Sequence, residues 1–222
     1  MIYAAPEHEF EASHGLPAAL PKDESIQWQG SPETWSLARH AFHFNMLAAY
    51  FALILVLRGL LAYSDGVGIV EAVRSTVILL PLALVALGLV VLLAWLAARS
   101  AVYTLTSRRL VMRIGIVLNI TFNLPLVTLK SAGLKLYGDG TGDIPLMLSG
   151  DDNIAYPHLW PHARPWQIKR TQPMLRSVPH AARVGAMLAE AAAQVNPSLA
   201  ASVPVANSTE GTLINRPVAQ VA

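Results

Sequence analysis

The chain has 222 residues, 54% of them hydrophobic and only 14% charged, with a formal net charge of +2 and no cysteine. Soluble domains carry roughly 25% charged residues, so this deficit argues for membrane insertion. The lack of cysteine excludes disulfides, thiolate metal sites and a cysteine nucleophile, and the scattered basic residues argue against a nucleic-acid partner.

Residues 1–21 are acidic and rich in Ala and Pro, and read as a flexible N-terminus. They lack the basic region and apolar run of a cleavable signal peptide. Residues 22–41 form a pre-membrane segment containing SIQWQGSPETW. It reads as a short extended piece ending at Ser31-Pro32, because proline biases the residue before it toward extended geometry.

A first membrane helix is expected over residues 42–63, with an uninterrupted apolar run from 46 to 57. Arg58 lies near its far end. It reads either as an interfacial anchor within snorkelling reach or as a buried functional charge. Residues 64–75 form a connector holding Asp65, Glu71 and Arg74. Residues 76–98, TVILLPLALVALGLVVLLAWLAA, carry no charge. At ~1.5 Å per helical residue they suffice to cross a ~30 Å hydrocarbon core. Pro81 falls in the first turns, where a kink costs least. Arg39 precedes the first span, and Arg99, Arg108, Arg109 and Arg113 follow the second. By the positive-inside rule both termini are cytoplasmic and the connector periplasmic.

After Arg99 the period changes. From Leu110 to Leu124 the even positions are Leu, Met, Ile and Phe, whereas the odd ones are mostly Arg, Gly, Asn and Thr. A period of two means half-buried strand. The run is too long for one ordinary strand, so Gly115 or a neighbour should fold it into a hairpin. Residues 134–137, a GDGTGD turn and residues 144–148 read as a second hairpin. Hairpins without intervening helices imply an antiparallel sheet or small barrel.

Residues 179–195 return to helical spacing, with Val184, Met187, Leu188, Ala191, Ala192 and Val195 on one face and Pro179 in the first turn. This helix should pack on the open side of the sheet. Residues 196–222 are a mixture of Ser, Ala, Asn, Thr and Pro that reads as a disordered tail. The expected fold is a membrane α-hairpin of two transmembrane helices plus a small antiparallel β domain, residues 99–195, with a C-terminal helix.

ESIQWQGSP, two spans and then YTLTSRRLVMRIGI resemble the bacterial pleckstrin-homology-like (PH-like) membrane proteins. Their Tyr-x-Leu-Thr-x-x-Arg signature corresponds to Tyr103, Leu105, Thr106 and Arg109, with Arg108 beside it. The resemblance covers residues 24–148. The next segment, NIAYPHLWPHARPWQIKRTQPMLRSVP, is similar to the PuhB family of photosynthetic-complex assembly proteins of purple bacteria, which extends the match to residues 24–193. The resemblance implies a PH-like domain and an inner-membrane factor that helps assemble the reaction centre with its core antenna. It does not imply an enzyme. A broader reading, a PH-like module sensing lipid or membrane stress, stays open beside it.

Candidate sites follow from residue chemistry. Residues 156–166 concentrate His158, Trp160, His162, Arg164 and Trp166 among three prolines. Rigid backbone bearing amphipathic rings suits a partner-binding surface. The same two indoles would equally complete the β core or rest at lipid headgroups. His158 and His162 have a spacing that on a helix could hold zinc, but Pro157, Pro161 and Pro165 argue against a regular helix and no third ligand is near. No metal site is expected.

Arg108 and Arg109, close to the membrane exit, are expected to contact anionic headgroups, with Arg113 as solvated charge. His40 and His43 precede the first span. They read as interfacial polar residues or, in a photosynthetic setting, as bacteriochlorophyll ligands. Residues 138–143 lack the lysine of a P-loop and the spaced acids of a calcium loop, so a hairpin turn accounts for them. Small residues Ala83, Ala86 and Gly88 would permit close helix packing, hence a homodimer. No nucleophile elbow or glycine fingerprint is present, so no catalytic residues or cofactor are expected.

Overall fold

The first strand of the β domain comes from before the apolar helices. In the computed structural model, which describes residue 16 and residues 20–116, 119–149 and 154–196, Ile26–Gly30 (β1) pairs antiparallel with Val102–Thr106 (β2). Trp28 lies opposite Leu105, and Gly30 opposite Tyr103. The segment expected to stand apart ahead of the membrane is therefore an edge strand of the domain behind it. The reason is that β2 needs a partner for its outer backbone groups, and the chain entering the hairpin passes beside the chain leaving it. The expected flexible N-terminus and disordered tail fall almost wholly outside the described residues.

The period-two run folds as its pattern predicts. Arg109–Ile114 (β3) and Ile120–Pro125 (β4) form a hairpin with Leu110 opposite Leu124 and Met112 opposite Phe122. Gly115 follows β3 with a φ of 130°, a conformation that side chains resist. The sheet order is β1-β2-β3-β4. Leu129–Ala132 (β5), Lys135–Leu136 (β6), Gly142–Leu148 (β7) and Met174–Val178 (β8) build the second antiparallel sheet, in which β5, β6 and β8 all pair with β7.

Tyr103, Leu105, Leu110, Met112 and Ile114 of the first sheet share one core with Ile144, Leu146, Leu175 and Val178 of the second. The C-terminal helix, Ala181–Val195, closes it with Val184, Leu188, Ala191 and Ala192 buried. Pro179 lies outside this helix, which starts after His180 in a left-handed conformation.

Thr34–His40 (α1) joins the two halves. The Glu33 carboxylate caps it, accepting from the Trp35 N–H at 3.1 Å and from the Ser36 N–H. Leu37 is fully buried against Ala97 and Ala98 near the end of the last apolar helix. The Glu33 N–H donates to the Ser177 carbonyl at 2.8 Å. The Ser36 and Thr141 hydroxyls lie 2.6 Å apart. The Thr141 hydroxyl donates to Asp139 at 2.6 Å, so it accepts from Ser36. His40 lies flat on the Tyr137 ring, with centroids 3.5 Å apart and planes 2° from parallel.

Phe44–Ser64 (α2), Ile69–Val77 (α3) and Leu80–Ser100 (α4) form the apolar part. Among the described residues, 44–64 and 69–100 are the two stretches long and apolar enough to cross a membrane. Leucines and valines around α2 and α4, such as Leu53, Leu60, Leu82 and Leu89, are exposed. The expected connector differs from the structure, because α3 occupies much of it and rests on α2. Pro81, without an N–H, sits in the first turn of α4, so the helix restarts there rather than at residue 76.

Candidate functional site

Residues 154–174 leave the second sheet and return to it, and they do so beside the start of α2. Tyr156–Leu159 (α5) makes one turn with Pro157 at its beginning, a position that needs no donor. Leu159, Pro161, His162 and Ala163 then turn inward. The Met174 N–H donates to the His162 carbonyl at 2.8 Å and the Arg164 N–H to the Gln172 carbonyl at 2.9 Å, so the intervening chain closes as a narrow loop. Its tip projects Trp166, 92% exposed, and Ile168, 66% exposed. Trp160 is half exposed and meets the Phe42 ring edge-on at 5.6 Å.

A cleft of about 280 Å³ separates this segment from the residues leading into α2. His40, Ala41 and His43 line one side; Tyr156, Trp160, Pro161, Pro165, Trp166 and Ile168 line the other, and Arg176 is part of the wall. His43 has a φ of 54° at the N-cap of α2, which turns the chain into the apolar helix at the cleft margin.

The floor is polar and buried. The Arg176 N–H donates to the Tyr103 hydroxyl at 3.3 Å, and that hydroxyl lies 2.6 Å from His162 Nδ1. Tyr103 and His162 thus satisfy each other in the interior. Burial, with the Arg176 charge nearby, pushes the His162 pKa down to about 3, so the ring is neutral. Burial also raises the Tyr103 pKa far above that of a free phenol.

Arg176 is only 6% exposed. Its Nη2 donates to the Ala163 carbonyl at 3.4 Å, and its Nε has no partner among the described residues. The nearby carboxylate of Asp143 is engaged elsewhere: Oδ2 accepts from the Tyr137 hydroxyl at 2.6 Å and Oδ1 from the Ser177 N–H at 2.8 Å. Burial and this carboxylate raise the Tyr137 pKa, and burial lowers that of His40 despite Asp143 and Asp139.

The bacterial PH domain family model matches residues 44–192, a stretch that includes both apolar helices and all of the second sheet. The chain is also 38% identical over 202 residues to the uncharacterized 23.7 kDa protein in the puhA 5′ region of Rhodobacter capsulatus, covering 90% of this chain and 94% of that one. The chain belongs to the bacterial PH domain family. These matches agree with the PuhB-like resemblance of the segment at 153–179. No solved structure matches it.

Within this bacterial PH domain, the residues expected to bind partners do not act as one group. His158, Trp160, Arg164 and Trp166 are exposed, whereas His162 is 1% exposed and serves the core. Its burial follows from the inward turn of the chain over Pro161, His162 and Ala163, which no local period in the sequence marks.

The two arginines expected at headgroups both have acidic partners. Arg109 Nε and Nη2 each donate to the Glu24 carboxylate at 2.7 Å, and Arg108 pairs with Asp23. Both arginines tie the segment before the hairpin to the sheet after it. The turn at 138–143 is an Asp-centred turn: Asp139 Oδ1 accepts from the Thr141 N–H at 3.0 Å, and Gly140 has a φ of 80°. Arg176 was missed altogether. Its signal is a charge in MLRSV, a strand whose five residues are all buried.

Proposed function

We propose that this protein is a non-catalytic assembly factor of the bacterial inner membrane that serves the photosynthetic reaction centre and its core antenna. The observation that carries this reading is the near full-length match to a protein encoded in the puhA 5′ region. In this reading α2 and α4 span the bilayer with both termini cytoplasmic, and the exposed aromatic loop at the root of the hairpin meets subunits at the membrane surface. Trp166 and Trp160 supply rigid contact area at low entropy cost. The α1 clamp supports the reading, because it holds the loop at a set angle to the hairpin. Confinement to two dimensions raises the effective concentration of partners, so weak and releasable contacts suffice.

Deleting the gene and quantifying the photosynthetic complexes tests this reading. A selective loss of reaction-centre complex is expected. Unchanged complexes, with an altered response to membrane stress instead, would favour the general PH-like membrane module.

A further inference from the structure

We propose that the cleft between the start of α2 and the Trp160–Ile168 segment binds the phosphate of an anionic lipid headgroup, with Arg176 as the binding cation. The inference rests on the reading of α2 as a membrane span. Arg176 is a permanently charged side chain, more than nine-tenths buried, and among the described residues no carboxylate pairs with it and its Nε has no hydrogen-bond partner. A buried charge left uncompensated is strongly unfavourable. Guanidinium presents donors in a fixed fork that fits a phosphate with two parallel bonds. Arg176 lines the cleft, which opens beside it.

The source of the phosphate follows from position. His40, Ala41 and His43 of the cleft immediately precede α2, so its mouth stands where headgroups lie if α2 spans the bilayer. The rim suits that layer: Trp166 is almost bare, Ile168 is two-thirds exposed, and Arg164 and Arg170 are exposed beside them. A rim that projects an indole and an isoleucine into water would be unfavourable for a cleft serving a free phosphate ion. A volume of about 280 Å³ is at the low end for ligand pockets, which suits a headgroup whose chains remain in the bilayer.

The test is native mass spectrometry of the full chain released from nanodiscs of phosphatidylglycerol and phosphatidylcholine, with alkaline extraction of native membranes as a control for insertion. The wild type should retain phosphatidylglycerol at least tenfold better than phosphatidylcholine. Arg176→Gln should abolish that preference and Arg176→Lys should keep part of it. Trp166→Glu, a fully exposed substitution that places a carboxylate at the mouth, should weaken retention without affecting folding, and it decides the matter if Arg176→Gln does not fold. Equal retention of both lipids, or full retention by folded Arg176→Gln, overturns the proposal. Displacement of the lipid by millimolar inorganic phosphate would assign the site to the free ion and overturn the lipid source. Alkaline extraction of the wild type would sink the membrane reading itself, whereas an inserted protein with no lipid preference sinks this proposal alone.

Discussion

Glu24 and Arg109 are 85 residues apart in sequence and form a two-bond ion pair, with both contacts at 2.7 Å. The whole helical hairpin lies between them. The pair closes the base of the hairpin by tying the strand that precedes it to the sheet that follows it. The Thr106 hydroxyl also donates to Glu24, at 2.6 Å, so the carboxylate is satisfied from two sides of the turn. Arg109 holds the Glu24 carboxyl below the usual carboxylate range.

Breaking this pair should therefore loosen the hairpin from the domain. Glu24→Gln should cost about 2–4 kcal/mol, since one charge is left partly buried without its partner. Arg109→Lys keeps the charge but loses the fork, and should cost about 1 kcal/mol. Thermal unfolding in detergent measures both. A Glu24→Gln/Arg109→Gln double variant should lose less than the sum of the single changes.

Acid should destabilise the protein through His162. Its folded pKa is pushed down to about 3 from an ordinary 6.5, so between these values the unfolded chain binds the additional proton. The contribution of the neutral ring is complete above about pH 6.5 and falls by ~1.4 kcal/mol per pH unit as the pH drops toward 3. His40, also held low by burial, adds a slope of the same sign, and Glu24 adds one only below pH 4.5. His162→Leu should flatten the stability profile between pH 6.5 and 5 relative to wild type. Parallel profiles would show that His162 is not the group responsible.

Gly142 is a close-approach position. A Cβ there would lie 2.5 Å from the Lys135 carbonyl oxygen and 2.7 Å from Ala181 Cβ. Gly142→Ala should force β6 and the C-terminal helix apart and cost about 1–3 kcal/mol. Gly138, where a Cβ meets nothing within 4 Å, is the control and should accept alanine with little change.

The two indoles should separate in a capture experiment. Trp166→Ala touches no core residue, so stability should hold within about 0.5 kcal/mol while co-purification with photosynthetic subunits drops. Trp160→Ala also removes the edge contact to Phe42 and should cost about 1 kcal/mol beyond any effect on capture. Undiminished capture by the double variant would remove both indoles from the partner surface.

Much of the fold was legible because its signals are local. The apolar runs and the alternation from Leu110 to Leu124 each depend on neighbours a few residues away, and hairpin turns at Gly115 and at residues 138–143 follow from the same short windows. The start of the second long helix was not legible, since it was expected at residue 76 and lies at Leu80, and the helix over Ile69–Val77 was not read from the connector.

The site was less legible. His158, His162 and Arg164 look alike in the sequence, yet one is buried against Tyr103 and the others face outward. Arg108 and Arg109 look like free cations beside a membrane, but each has an acidic partner from before the hairpin.

By itself, then, the chain determined the apolar spans, the alternating strands and the aromatic loop, since hydrophobic period and backbone chemistry act over short distances. Only the tertiary structure decided which charges are paired and which one, Arg176, is buried beside an open cleft. A charge's partner is set by what the fold brings within about 4 Å, and for Glu24 and Arg109 that meant closing a loop of two apolar helices.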